Sequence, residues 1–159
     1  MRLFEDKLLD ELATKAAASP RRRAHFNIHG AATDAVQRFL VVAQDDSYFR
    51  PHLHRTNSEL AVVLRGRLEV VTFDDAGRVL TRQEIGEGTG RFAYETPNQT
   101  WHTLFAVSAP AAFLEVKQGP YDPATAADFA PWAPAEGEGS VPRFQQWLRE
   151  ARAGSLYSV

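Results

Sequence analysis

Pro51-His52-Leu53-His54-Arg55-Thr56-Asn57-Ser58-Glu59-Leu60-Ala61-Val62-Val63-Leu64-Arg65-Gly66-Arg67-Leu68-Glu69-Val70-Val71-Thr72-Phe73 is the stretch that decides the fold. Its β-branched and apolar residues fall into runs at 59–64 and 67–73, broken by Arg65-Gly66, and such runs bounded by turn residues predict strands. The texture continues outward. In Arg23-Ala24-His25-Phe26-Asn27-Ile28-His29 the odd positions are polar and the even ones apolar, as on a strand with two different faces. Further strand-like runs lie at 36–43, 47–54, 79–85, 91–96, 101–107 and 111–117, separated by turn signals such as Asp74-Asp75-Ala76-Gly77 and Ser108-Ala109-Pro110. Eight or nine short strands with no helix between them predict an all-β antiparallel sandwich or barrel.

The flanks read differently. Leu8, Leu9, Leu12 and Ala16 recur at helical spacing within residues 3–18, which predicts a short N-terminal helix stopping at Ser19-Pro20. After Gly119 the composition shifts to Pro, Ala, Gly and acid, giving an irregular tail over 120–140 whose Tyr121, Phe129 and Trp132 should pin it to the outside of the barrel. A closing helix at 142–151 presents Phe144, Trp147 and Leu148 as one stripe. The expected organisation is therefore a helix at 1–20, a barrel at 21–119 and a packed extension at 120–159.

At 159 residues the chain is long enough for one domain with a true core. It has no cysteine, so a metal would have to sit on nitrogen and oxygen ligands. Its 18 basic and 20 acidic residues give a net charge of −2, which offers no basic surface for nucleic acid. The mean hydropathy of −0.34 and the acidic start at Glu5, Asp6 and Asp10 predict neither a membrane span nor a secretory signal. The expectation is a soluble, cytoplasmic protein with a small-molecule ligand and, by the commonest closed symmetry, a homodimer.

Four residues carry the chemistry. His52 and His54 are two apart on a strand and so share a face, and the turn at 55–58 can return Glu59 beside them. Downstream, Pro97 precedes His102 in a turn-then-strand arrangement that can deliver a third imidazole. Three neutral imidazoles and one carboxylate suit one divalent transition ion, Zn, Fe, Mn, Ni or Co, with positions left open for a ligand. The spacing His-x-His-x4-Glu-x6-Gly arises by chance in roughly one random chain of this composition per thousand.

The segments 52–66 and 97–102 resemble the paired motifs of the cupin superfamily, small jelly-roll barrels that hold a divalent metal near the centre. Asp46, Gln99 and Ala106 stand where those motifs usually carry Gly, Gly and Asn. The runs Pro20-Arg-Arg-Arg23, Asn27-Ile-His29, Val36-Gln-Arg38, Tyr48-Phe-Arg50-Pro-His52-Leu-His54, Trp101-His102-Thr103 and Phe129-Ala-Pro-Trp132-Ala-Pro resemble WbuC-type cupins over most of the chain. The resemblance implies a single cupin jelly-roll barrel, a metalloprotein, and an association with surface-polysaccharide biosynthesis.

Around the metal, a strand over 47–54 would place Tyr48 and Arg50 on the face of His52. There Arg50 could clamp a carboxylate or phosphate, and Tyr48 could donate a proton or a hydrogen bond. Arg23, Asn27 and His29, which match the family pattern, form a second candidate wall, with His29 a further proton carrier. Glu115 and Lys117 share parity, and a cross-strand ion pair is their plain explanation. These residues serve a metal-dependent enzyme acting on a sugar nucleotide, sugar acid or keto acid, an oxygenase, or a non-catalytic metabolite binder or sensor alike.

Overall fold

The computed structural model of the protein describes residues 1–158. Helix α1 (Asp6–Ala18) is followed by β1 (Arg23–Asn27), β2 (Val36–Ala43), β3 (His52–Leu53), β4 (Glu59–Phe73), β5 (Val79–Gly86), β6 (Ala93–Thr96), β7 (Trp101–Gln118), β8 (Asp128–Phe129) and helix α2 (Val141–Glu150). All pairings are antiparallel, and the strands curl into a jelly-roll barrel. None of the described helices is long and apolar enough to cross a membrane.

β4 and β7 form the spine. The two predicted runs at 59–64 and 67–73 fuse into one 15-residue strand, and those at 101–107 and 111–117 into one of 18. Their shared ladder shifts register between Val63 and Leu68, where Gly66 takes φ +72° and a Cβ would lie 3.0 Å from the Ser108 hydroxyl. The turn expected at Arg65-Gly66 is thus a bulge that bends a continuous strand. One half of β7 pairs with β2 on its other side, and the other half meets β3, where His52 stands opposite His102.

Alternate residues of the spine serve two cores. Leu68, Val70, Leu104, Ala106 and Phe113 face the barrel interior with Val41, Ala61 and Ile85. Val71, Phe73 and Phe105 face outward and are covered by the tail through Ala130, Ala133, Phe144 and Leu148. A third cluster seats α1 by Leu9, Leu12 and Ala16 on Leu40, Val42 and Ala112. Burial of the Leu, Val, Ile and Phe side chains among these contributes roughly 1.5–3 kcal/mol each.

The structure corrects two expectations. The run at 47–54 pairs only at His52 and Leu53, because Pro51 lacks the amide a ladder needs and fixes its own φ. The tail is also more than an irregular outer strap: Asp128 and Phe129 pair with Leu53 and His52, and Ala130 donates its amide to the Pro51 carbonyl at 2.9 Å.

Candidate metal centre and its cleft

The register brings the four ligand candidates together. One ligand atom from each of His52, His54, Glu59 and His102 lies within 4.8 Å of the others. His52 sits across β3 and β7 from His102, with ring centroids 4.4 Å apart, and the His52 and His54 rings are 5.1 Å apart. Glu59 opens β4 and stands across from Lys117.

Each imidazole is oriented by the backbone. Nδ1–H of His52 donates to the Arg50 carbonyl (3.0 Å), that of His54 to Ala126 (2.6 Å) and that of His102 to Thr100 (2.8 Å). A carbonyl can only accept, so each Nδ1 carries a proton, which leaves Nε2 as the nitrogen that ligates once it is unprotonated. The Nε2 of His102 is buried and has no hydrogen-bond partner, and the Nε2 of His54 lies 3.1 Å from Glu59 Oε2. An orphaned, buried acceptor beside two further imidazoles and a carboxylate fits a divalent cation.

Electrostatics point the same way. Burial, aided by the neighbouring His102, pushes the His52 pKa down to about 3, and burial also lowers that of His102, so both rings are neutral near pH 7. Burial works against charge on His54 too, but the hydrogen bond and negative charge of Glu59 outweigh it and raise the pKa of the ring. Glu59 is driven below the carboxylate range: its own burial opposes ionisation, yet His54 and Lys117 prevail. Lys117 bridges Glu59 (3.5 Å) and Glu115 (2.7 Å). The ion pair expected of Glu115 and Lys117 therefore lies along one strand face, while its cross-strand arm reaches the candidate ligand Glu59.

The remaining predicted site residues separate. Tyr48 is not on the His52 face. It lies outside the barrel among Val71, Phe73 and Phe144, and its hydroxyl donates to the Pro134 carbonyl at 2.8 Å. Chain 48–51 leaves the ladder at Pro51, so strand parity does not carry that far. Arg50 does border His52, in a cavity of about 280 Å³ that Arg23, Phe49, Phe129 and Glu136 also line. Its Nη2 donates to Ala130 (3.0 Å) and its guanidinium stacks over Phe129.

Arg23, Asn27 and His29 line a larger cleft of about 580 Å³, together with Gln37, Phe39, Glu115 and Lys117. His25, which the family pattern leaves out, lines it as well. The ladder explains this: His25 pairs with Val41 and Asn27 with Phe39, Phe39 with Glu115, and Ala61 with Glu115, which makes one inward face. His29 is buried edge-on against Phe39, its Nδ1 3.0 Å from the Arg38 amide. Phe49, Glu136 and Ala126 were not legible as site residues. Phe49 lies in a run read only for the parity of Tyr48 and Arg50, and the other two belong to the irregular tail.

A cupin fold with a His3Glu cluster that can hold a metal ion is the class of protein these features define. The chain belongs to the family described as Domain of unknown function (DUF6016), whose model matches residues 4–85. No curated protein matches it. Among solved structures, an oxalate oxidase in complex with glycolate is similar at 18% identity and a TM-score of 0.53, covering 84% of this chain and 68% of that one. CapF with a tropolone inhibitor is 15% identical at a TM-score of 0.54, covering 70% and 32%. A point mutant of Bacillus subtilis oxalate decarboxylase is 18% identical at 0.52, covering 67% and 27%. The chain thus spans about a third of CapF and about a quarter of the decarboxylase, and at these identities the likeness is one of fold.

Proposed function

We propose that this protein is a divalent-metal cupin that binds a small anionic, carbohydrate-related metabolite, such as a sugar acid, sugar nucleotide or keto acid, beside its metal. The observation that carries this is the set of three backbone-tethered imidazoles that, with the Glu59 carboxylate, bring four ligand atoms within 4.8 Å of one another. A bound Zn, Fe, Mn, Ni or Co ion would supply Lewis acidity toward a ligand oxygen. The chain supplies the rest. Lys117 holds Glu59 ionised, the Arg50 guanidinium faces the cavity that His52 borders, and Phe129 shields one side of it. The WbuC-type sequence pattern supports a role beside surface-polysaccharide biosynthesis; the acidic start at Glu5, Asp6 and Asp10 supports a cytoplasmic setting and the commonest closed symmetry a homodimer.

A binding or sensing form of this function is favoured over turnover by one feature: the Tyr48 hydroxyl, the proton donor that strand parity offered, is committed to Pro134 outside the barrel. The test is metal analysis by plasma mass spectrometry after saturation with each of the five ions, followed by calorimetric titration with glucuronate. One equivalent of metal, lost in His52→Ala and His102→Ala, and metal-dependent glucuronate binding are expected. A wild-type protein that retains no ion overturns the proposal.

A further inference from the structure

We infer that Glu136 occupies the seat of the ligand's own anionic group, a carboxylate or phosphate, and that Arg21 and Arg23 are the cations that recognise it. The inference rests on the proposed function above and deepens it. Arg23 is only 13% exposed at its side chain and is held rigidly: its guanidinium stacks over Phe49 at 4.4 Å and Nη1 donates to the Tyr48 carbonyl at 2.6 Å. That leaves Nη2 directed at Glu136 Oε1, to which Arg21 Nη2 also donates at 2.9 Å. Two guanidinium groups therefore converge on one carboxylate oxygen from a tail segment without regular structure.

The surroundings are built for more negative charge than Glu136 brings. The small cavity beside His52 is lined by Arg21, Arg23 and Arg50 against this single carboxylate. Among the described residues Arg50 makes no ion pair, and its Nε is buried without a hydrogen-bond partner. Arg21, Arg23 and Phe49 also line the larger cleft, so a group taking the place of Glu136 opens onto both chambers. The Glu136 side chain is 37% exposed, and an ion pair so open to solvent contributes little by itself. A ligand anion that also engages Arg50 has a partner that Glu136 does not use, and it can displace the tail carboxylate.

The experiment compares wild type with Glu136→Gln, each with and without saturating Zn(II), using inorganic phosphate and glucuronate as separate probes in calorimetry. Removing the internal competitor should tighten binding of at least one probe by about fivefold, the scale of a half-exposed ion pair. The probe that tightens more tells phosphate from carboxylate. In wild type, hydrogen exchange over 135–138 should quicken when that probe is added. Unchanged or weaker binding of both probes by a folded Glu136→Gln protein overturns the inference, as does a tail whose exchange ignores the probe. Should Zn(II) fail to bind while Glu136→Gln still tightens a probe, the metal proposal falls and the anion seat stands.

Discussion

His54 donates its Nδ1–H to the carbonyl of Ala126 at 2.6 Å, across 72 residues of sequence. A residue of the central motif is thus oriented by the C-terminal tail, whose strand β8 also backs His52. Orientation of a ligating imidazole by an outer carbonyl typically changes metal affinity about 10–100-fold.

Metal binding should therefore stiffen the tail. On adding Zn(II), the amide of Ala130, which donates to Pro51, should exchange more slowly with deuterium, as should its neighbours at 126–130. Equal exchange with and without metal would show that the tail is not coupled to the centre.

Metal uptake should strengthen as the pH rises above the ordinary imidazole value of 6.5. Because Glu59 raises the pKa of His54 above the ordinary 6.5, a proton must leave that ring before Nε2 can ligate. His52, at about 3, and the lowered His102 do not compete for protons there. Apparent affinity should rise by about tenfold per pH unit until His54 is neutral, with about one proton released per ion, read by calorimetry in buffers of different ionisation enthalpy. A flat profile across roughly pH 6–8, where imidazoles titrate, contradicts it.

The metal-free protein should lose stability toward acid. His52 and His102 fold with lowered pKa values, so each contributes stability that is present above pH 6.5 and lost as the pH falls, for His52 toward about 3. Glu59, lowered from 4.5, adds to this loss further down. His54 acts in the opposite sense, contributing below 6.5 and losing that contribution as the pH rises through its raised value. Below pH 6.5 the contribution of His54 is already complete, so His52 and His102 set a net decline there, measurable by urea unfolding at a series of pH values.

Replacing Lys117 by Met should destabilise the metal-free fold by about 3 kcal/mol, because it strands the buried carboxylates of Glu59 and Glu115 without their shared cation. Burial and the charge of Glu59 already push the Glu115 pKa up, so Glu115→Gln should cost under about 1 kcal/mol. Urea midpoints of the two variants would reverse in order if Lys117 were only a surface charge.

Gln99 holds φ at +58° while its amide donates to the His54 carbonyl at 2.7 Å. A side chain in that conformation is strained where Gly is not, so Gln99→Gly should stabilise the protein by about 1 kcal/mol, seen as a raised Tm. An unchanged or lower Tm would mean that the turn gains nothing from glycine.

The two departures that bear on the motif turns explain themselves in the fold. Gln99 adopts the left-handed backbone expected of the glycine it replaces, and Asp46 forms an exposed pair with Arg22 at 2.8 Å. Ala106, in place of Asn, is simply buried in the barrel interior. The period of two that places Arg23 and Asn27 on one side of the cleft is visible in the residues of β1, and His29 lies two residues beyond the end of that strand. The same rule does not reach Tyr48, because β3 begins only after Pro51 and the chain before it follows no ladder.

What the sequence alone determined is local: the strand period, the turn residues and the spacing that lets His52, His54 and Glu59 meet across one short turn. These follow from backbone geometry within a few residues and need no knowledge of partners far along the chain. Only the tertiary structure decided that Ala126 orients His54, that Phe129 backs His52, and that Glu136 lies between Arg21 and Arg23. Those contacts join the tail to the barrel across roughly 70 to 115 residues, where no periodicity links the partners and burial of the outer core sets the path of the chain.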